Sequence, residues 1–183
     1  MSYILTYRKK EFYPLEPKIQ DIDIVDIAHA LSLLCRANGH FKHFYSVGLH
    51  SLNCAYEAKA RGYSENVILG CLLHDGSEAY LADITRPVKK HLHKYLEIED
   101  VLQSKIFEKW IPTLTDDEKK QIFEIDDAIL YYEFTTLFGE KIFDYVPKLL
   151  STPRFEYIEF SKVEHEFSEL FYELTNNIDK EEN

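Results

Sequence analysis

The sequence predicts an all-α protein folded as one helical bundle, and three observations support this. Apolar residues recur at spacings of three and four over most of the chain, the period of a helix that buries one face. Ser, Thr, Gly and Pro stand between these stretches at positions typical of helix ends. We find no convincing run of strands, no internal repeat and no low-complexity stretch.

The first half of the chain contains an arm and three predicted helices. Residues 1–20, with two prolines and weak periodicity, are predicted to form an extended arm or short ribbon. A first helix begins at Asp23 and ends near Arg36, where Asn38-Gly39 supplies a stop. Ser46 is the predicted cap of the second helix, which ends at Gly62.

Ser64 opens the third helix, which is expected to continue through His74, Asp75, Glu78 and Ala79 and to break near Pro87. The second and third helices are expected to form an antiparallel hairpin. Three further helices are predicted: residues 95–110, residues 115–138 with Thr115 and Glu118 as a capping box, and a last helix with Ser161 and Glu164 as a second capping box. Residues 179–183 are expected to be a frayed tail.

Length and composition favour one globular domain over residues 1–183, with a core at about 20–178. The chain has 183 residues, is 45% hydrophobic and contains 13 Tyr and 12 Phe, which is ample for one core. Charged residues interrupt the segment from Met1 to Pro17, so it does not resemble a signal peptide. No apolar run approaches the roughly 20 residues that span a bilayer. We therefore expect a cytoplasmic protein without a membrane partner.

The net charge of −11 argues against a nucleic-acid polymer as partner, because such proteins present a basic face to phosphates. A small anionic substrate requires that a metal ion and a few cations reverse the field locally. The three cysteines, Cys35, Cys54 and Cys71, form no C-x-x-C pair and stand among apolar neighbours. They are predicted to be reduced thiols in the core.

Two histidines stand at equal distances from the predicted hairpin turn. His50 precedes the turn at Gly62-Tyr63 by about twelve residues and His74 follows it by about eleven, so both lie roughly 17 Å up their helices at about 1.5 Å per residue. Their imidazoles can therefore face each other. A single histidine on an apolar helix face would more often be an ordinary core residue.

Two carboxylates complete a predicted metal site. Asp75 follows His74 directly, and Asp126 stands between the apolar Ile125 and Ile129 on a helix face that otherwise meets the core. A buried carboxylate there needs a partner. Two imidazoles and two carboxylates suit one divalent ion such as Mn, Fe, Co, Ni or Zn, and admit Mg.

The predicted ligands and their spacing are similar to those of a known protein family. The pattern of His50, His74-Asp75 and Asp126 resembles the spaced signature of the HD-superfamily metal-dependent phosphohydrolases. SVGLHS at 46–51, LLHDGSEAYLADITRPVKK at 72–90, Arg36 to His40, and Glu133 seven residues after Asp126 are similar to the small 5′-deoxynucleotidase-like branch. The likeness covers roughly residues 20–135, and the spacing to Glu133 favours Asp126 over Asp127 as ligand.

The resemblance implies an HD-domain helical bundle that hydrolyses a phosphate ester or anhydride with a water activated by the ion. Glu78 is the implied general acid or base, and Asp83 would orient the water or bind the sugar. The cations expected around a phosphate are Arg36, Arg86, Lys89 and Lys90, with Arg36 and then Lys89 as the first candidates to bind it, and His40 could touch the substrate. Arg36 could instead be a helix-end cation, and Lys89 with Lys90 a solvated pair.

The leading hypothesis is hydrolysis of a deoxynucleoside 5′-monophosphate to nucleoside and phosphate. Its rival is release of tripolyphosphate from a deoxynucleoside triphosphate, as in the phage deoxyadenosine triphosphate hydrolases that this branch resembles. A hypothesis of another class is a non-catalytic metal- or nucleotide-binding module. A redox di-iron variant would need further histidine ligands that we cannot place here. The resemblance also leaves a homodimer open.

Overall fold

The computed structural model describes residues 2–181, with side chains to residue 176, and confirms the all-α prediction. About 60% of the chain is helical and about 3% is strand. Within the described residues the α-helices are α1 (Ile24–Leu33), α2 (Val47–Ala60), α3 (Glu65–Leu73), α4 (Arg86–Lys89), α5 (His93–Trp110), α6 (Asp116–Leu137) and α7 (Phe160–Glu181). Of the predicted frayed tail at residues 179–183, residues 179–181 continue α7, and residues 182–183 lie outside the described residues. None of these helices is both long enough and apolar enough to cross a bilayer.

A short ribbon precedes the bundle, as predicted for the arm. Strands β1 (Ile4–Leu5) and β2 (Glu11–Phe12) pair antiparallel. Phe12 is fully buried and stacks on Tyr80, with ring centroids 4.0 Å apart. Phe12 thus anchors the arm to the bundle, and Tyr7 adds a second stack on His29 of α1, with ring centroids 3.7 Å apart.

The hairpin of α2 and α3 forms the centre of the bundle, and α6 packs against both helices, while α1 packs against α2 and α7. Side-chain caps fix these helices as expected: Ser46 caps α2, Ser64 caps α3, and Thr115 with Glu118 forms a capping box on α6. Gly70 allows close approach of α3 and α6, because a Cβ there would lie 2.3 Å from Ile122 Cδ1. These contacts hold α2, α3 and α6 in fixed register.

The structure corrects three predicted helix ends. Helix α1 ends at Leu33 rather than near Arg36, because Leu34 and Cys35 turn extended and Cys35 pairs with Ser46 in a β-bridge. Helix α3 ends at Leu73, and a separate 3-10 turn, Gly76–Ala79, follows Asp75 at φ −98° and ψ 15°.

The third correction concerns α7, which begins at Phe160. Ser161 therefore lies inside its first turn and is not its cap, and the predicted second capping box is wrong. The amides of Lys162 and Val163 donate instead to the carbonyl oxygen of Glu159, and the Ser161 hydroxyl donates to the Glu159 carboxylate.

Candidate metal centre

Three elements bring His50, His74, Asp75 and Asp126 together at one end of the α2–α3 hairpin. His50 lies in the first turn of α2, His74 and Asp75 directly follow α3, and Asp126 lies midway along α6. His50 is fully buried, whereas the other three side chains are between 11% and 19% exposed. The cluster is thus covered on one side and open on the other.

Both imidazoles are held so that their Nε2 atoms face each other. Nδ1 of His74 lies 2.8 Å from the carbonyl oxygen of Cys71, which can only accept, so Nδ1 carries the hydrogen. Nδ1 of His50 lies 2.6 Å from a carboxylate oxygen of Glu133. Burial opposes ionisation of that carboxyl, but Arg36 and His50 lower the pKa of Glu133 to about 2, so it is also an acceptor. The two Nε2 atoms are 3.1 Å apart.

Two facing imidazole lone pairs repel each other unless a positive charge lies between them. Desolvation opposes a charge on His50, but Glu133 and a hydrogen bond to Asp126 raise the pKa of His50 well above its ordinary value. A proton can therefore meet this requirement in part. A metal ion competes for the same lone pairs, because imidazole binds metals through its unprotonated nitrogen.

The two carboxylates face the same point. Asp126 Oδ1 lies 3.1 Å from Nε2 of His50 and 3.8 Å from Nε2 of His74. Asp75 Oδ2 lies 3.3 Å from Nε2 of His74 and 3.8 Å from Nε2 of His50. Donors bound to one ion at about 2.0–2.2 Å lie roughly 3–3.6 Å apart when they occupy neighbouring positions. The donor set fits a divalent transition metal of the predicted kind.

Neighbouring carboxylates on α6 share one partner, Arg86, but only one of them also faces the imidazoles. Arg86 donates to Asp126 Oδ2 at 2.8 Å and to Asp127 Oδ1 at 2.7 Å. The other oxygen of Asp126, Oδ1, faces the imidazoles. Burial opposes a charge on Asp126, but His50 and His74 hold its pKa well below the usual range, so it is an ionised ligand candidate.

Arg36 and Glu133 form a layer behind these four side chains. Arg36 Nε donates to Glu133 at 2.9 Å, and its terminal nitrogens lie 3.4 Å from Asp75 Oδ2 and 3.6 Å from Asp126 Oδ1. The Glu133 carboxylate joins Arg36 to His50 and fixes the ring orientation of His50. The sequence marked Glu133 only through the resemblance, because its contacts lie far away along the chain.

An open cleft of about 220 Å³ lies beside the cluster. Its polar lining comes from Asp75 and Asp126 and from the residues around them. Its apolar side comes from α4, α6, the loop before α4 and the segment between α1 and α2. The lining residues are Arg36, Ala37, Phe41, Asp75, Glu78, Asp83, Ile84, Thr85, Arg86, Pro87, Lys89, Asp126, Leu130 and Phe134. A small ligand in this cleft would contact both the candidate metal centre and three cations.

Glu78 and Asp83 both line this cleft. Glu78 is 6% exposed, and its Oε2 atom is buried without a hydrogen-bond partner. Burial, followed by the charges of Asp75 and Asp83, raises the pKa of Glu78 well above its ordinary value. Burial likewise raises the pKa of Asp83, whose carboxylate accepts the Ala37 amide at 3.3 Å. The sequence predicts Glu78 on the same helix as His74. In the structure Glu78 instead reaches the cleft from the separate 3-10 turn.

The predicted substrate-binding residues differ in their position relative to the cleft. Arg36 and Lys89 line the cleft, but Lys89 is already paired, with Nζ 2.6 Å from Glu99 and 3.7 Å from Glu78. His40 is exposed and does not line the cleft, although Ala37 and Phe41 on either side of it do. The prediction that His40 touches the substrate is therefore not supported by its position.

A sulfur atom also reaches the cluster. Cys54 Sγ lies 3.6 Å from Nε2 of His50, and the donor atoms of His50, Cys54 and His74 all lie within 4.8 Å of one another. This group could hold a metal ion. Burial raises the pKa of the Cys54 thiol to about 11. Cys54 and Cys71 are buried free thiols, as predicted, whereas Cys35 is only partly buried.

Comparison with known proteins gives relatives without an assigned activity. No family model matches the chain. It is 38% identical over 110 residues to the uncharacterized protein YfdR of Escherichia coli K12, covering 60% of this chain and 59% of that protein. It is 41% identical over 98 residues to the uncharacterized protein RCAP_rcc00048 of Rhodobacter capsulatus, covering 50% of each. The chain thus spans 50% to 59% of the length of these relatives.

Proposed function

We propose that the protein is a divalent-metal-dependent phosphohydrolase of the HD type, acting on a deoxynucleoside 5′-monophosphate to give nucleoside and phosphate. One observation carries the proposal: Nε2 of His50, Nε2 of His74 and oxygens of Asp75 and Asp126 converge beside a cleft that also contains cations and a buried carboxyl group. Ligands for an ion, cations for a phosphate and a proton donor are the parts that phosphate-ester hydrolysis requires.

The cations of the cleft supply the charge that a phosphate needs in an acidic protein. Arg36, Arg86 and Lys89 line the cleft although the net charge of the chain is −11. The two terminal nitrogens of Arg36 lie farther from their carboxylates than its Nε does, so they retain donors for a phosphoryl oxygen. Substrate binding would place the phosphate in the cleft, beside both Arg36 and the candidate metal centre.

An ion bound by the four ligands supplies Lewis acidity that activates a water and polarises a phosphoryl oxygen. Burial and two neighbouring carboxylates raise the pKa of Glu78 well above its ordinary value, which favours the protonated form that a general acid needs. Its unpartnered Oε2 can deliver that proton to the departing 5′-oxygen, which completes the alcohol product. Asp83, held by the Ala37 amide, would orient the water or a sugar hydroxyl.

The size and lining of the cleft favour a ligand with one phosphate. Its volume of about 220 Å³ is below the roughly 300–1,000 Å³ of typical small-molecule sites. Phe41, Ile84, Leu130 and Phe134 offer an apolar wall against which a deoxyribose could lie. A triphosphate would have to extend beyond this volume.

The test is a substrate screen on chelator-treated protein resupplied with Mn²⁺ or Co²⁺. Monophosphates, triphosphates and simple phosphate esters are compared, and orthophosphate and tripolyphosphate are measured separately. Glu78→Gln is expected to lower turnover about 10²- to 10⁴-fold, the usual contribution of a general acid, without loss of the ion. Glu124→Gln, an exposed carboxylate elsewhere on α6, serves as the control and should behave as the wild type.

Orthophosphate from a deoxynucleoside monophosphate supports the proposal, and tripolyphosphate from a triphosphate supports its rival instead. Wild-type protein that holds the ion but hydrolyses none of these compounds would contradict both and favour a non-catalytic binding module. Full turnover by Glu78→Gln would remove Glu78 from the mechanism.

A further inference from the structure

Cys54 lies next to the candidate metal centre but on a different side from the cleft. It follows His50 by one turn of α2, so both side chains leave the same face of that helix. Asp75 and Asp126 line the cleft, whereas Cys54 is 1% exposed and is not among the lining residues. The two imidazoles therefore stand between a pair of carboxylates toward the cleft and a sulfur atom toward the core.

The distances suit a thiolate ligand. An ion with Zn–S near 2.3 Å and Zn–N near 2.0 Å in tetrahedral geometry places sulfur and nitrogen roughly 3.6 Å apart. Cys54 Sγ and Nε2 of His50 are separated by 3.6 Å, and the donor atom of His74 lies within 4.8 Å of both. Asp126 Oδ1 lies 3.1 Å from Nε2 of His50 and 3.8 Å from Nε2 of His74, so it can serve as a fourth donor to an ion held between the two imidazoles.

We propose that Cys54 gives the centre a second binding mode, in which a thiophilic ion such as Zn²⁺ or Cd²⁺ is held by His50, Cys54, His74 and Asp126. This inference rests on the metal centre of the proposed function but not on hydrolysis. Four protein ligands including sulfur make a closed tetrahedral site of the kind that structural zinc takes. The thiol proton is released to solvent when the sulfur binds the ion.

The alternative mode, with His50, His74, Asp75 and Asp126, suits an ion that takes five or six ligands and keeps positions open to the cleft. Mn²⁺ prefers oxygen and nitrogen donors and has little affinity for thiolate, so it does not recruit Cys54. The identity of the ion thus selects between an open, hydrolytic arrangement and a closed one. Zn²⁺ is expected to bind tightly and to compete with the ion that supports turnover.

Spectroscopy on the cobalt-loaded protein tests the sulfur ligand without any substrate. We expect a near-ultraviolet thiolate-to-cobalt charge-transfer band in the wild type that is absent from Cys54→Ser. Cys71→Ser is the matched control, since Cys71 is also a buried free thiol but is not part of the donor group. Its cobalt complex should keep the band.

Metal affinity gives a second readout that remains informative if cobalt selects the open mode. Zn²⁺ affinity of Cys54→Ser is expected to fall on the order of 100-fold, because one of four ligands is lost, while Mn²⁺ affinity stays nearly constant. A wild type that binds cobalt without the band, together with unchanged Zn²⁺ affinity in Cys54→Ser, would overturn the proposal. A cobalt complex with the band, together with no hydrolysis of any substrate by the Mn²⁺-loaded protein, would sustain this inference while refuting the proposed function.

Discussion

Helix α2 carries two buried polar clusters that differ in one respect. Toward its start, His50 faces His74 and Asp126, and Nε2 of His74 and Oδ1 of Asp126 are both acceptors that compete for one hydrogen on Nε2 of His50. Toward its end, Glu57 accepts hydrogen bonds from Arg61, from the amides of Leu150 and Ser151, and from the Ser151 hydroxyl. In the second cluster donors and acceptors match.

Asn53 extends this matched cluster. Its amide nitrogen donates to the Tyr45 hydroxyl and to the Arg154 carbonyl, and its oxygen accepts the Arg154 amide. Asn53 and Glu57 together hold the long connection before α7 against the bundle. A buried polar cluster that satisfies itself stabilises the fold, whereas one with an excess of acceptors favours binding of a cation. The contrast is the physical basis for assigning function to one end of α2 and stability to the other.

The largest expected effect on folding is at the matched cluster. Glu57→Gln replaces an accepting oxygen with an NH₂ group that faces N–H donors, so buried donors lose their partner. We expect the free energy of unfolding to fall by about 3 kcal/mol, as for other broken hydrogen bonds to buried charges. Urea denaturation measures this, and metal affinity measured on the folded variant should be unchanged.

The pH dependence sharpens this prediction. Burial opposes a charge on Glu57, but the Ser151 hydroxyl and Arg61 lower its pKa below the ordinary value of 4.5. A carboxyl whose folded pKa is depressed contributes its full stability above its unfolded pKa and loses it as the pH falls through the folded pKa. The stability difference between wild type and Glu57→Gln should therefore be constant near neutral pH and shrink below about pH 4.5. A difference that grows in acid would show that the charge of Glu57 is not the cause.

Glu133→Gln is expected to have a smaller effect, on metal binding rather than on folding. The amide cannot accept from both His50 Nδ1 and Arg36 Nε, so the His50 ring loses its fixed orientation. We expect metal affinity to fall about 10- to 100-fold, the usual effect of such a supporting partner. Isothermal titration with Mn²⁺ measures it, with Glu57→Gln as the comparison. Equal affinities of the two variants would erase the distinction between the two ends of α2.

Much of the scaffold was predictable because its signals are local. Ser46, Ser64 and the Thr115–Glu118 capping box fix helix starts through contacts three residues apart, and the hairpin of α2 and α3 follows from Gly62 between them. Helix ends that depend on distant partners were wrong. The bridge between Cys35 and Ser46 that ends the α1 region is not visible in a helical pattern.

In the candidate site, too, features with local sequence signals were predictable and features that depend on distant contacts were not. Equal distances from the turn predicted that His50 and His74 would face each other, because helix rise is constant along both helices. Arg86, which binds Asp126 and Asp127 from about forty residues away, belongs to a four-residue helix too short for periodicity to reveal. The place of Cys54 was also missed, since an apolar setting predicts the same buried thiol with or without imidazoles beside it.

The most direct test of the metal centre counts ions. Chelator-treated protein is dialysed against Mn²⁺, and bound manganese is measured by mass spectrometry for the wild type, Asp126→Ala and Asp127→Ala. The neighbouring aspartates share a helix and a partner in Arg86, but only Asp126 faces the imidazoles. We predict one ion per chain in the wild type and in Asp127→Ala and none in Asp126→Ala. A wild type without manganese, or one whose manganese survives in Asp126→Ala, would contradict the account.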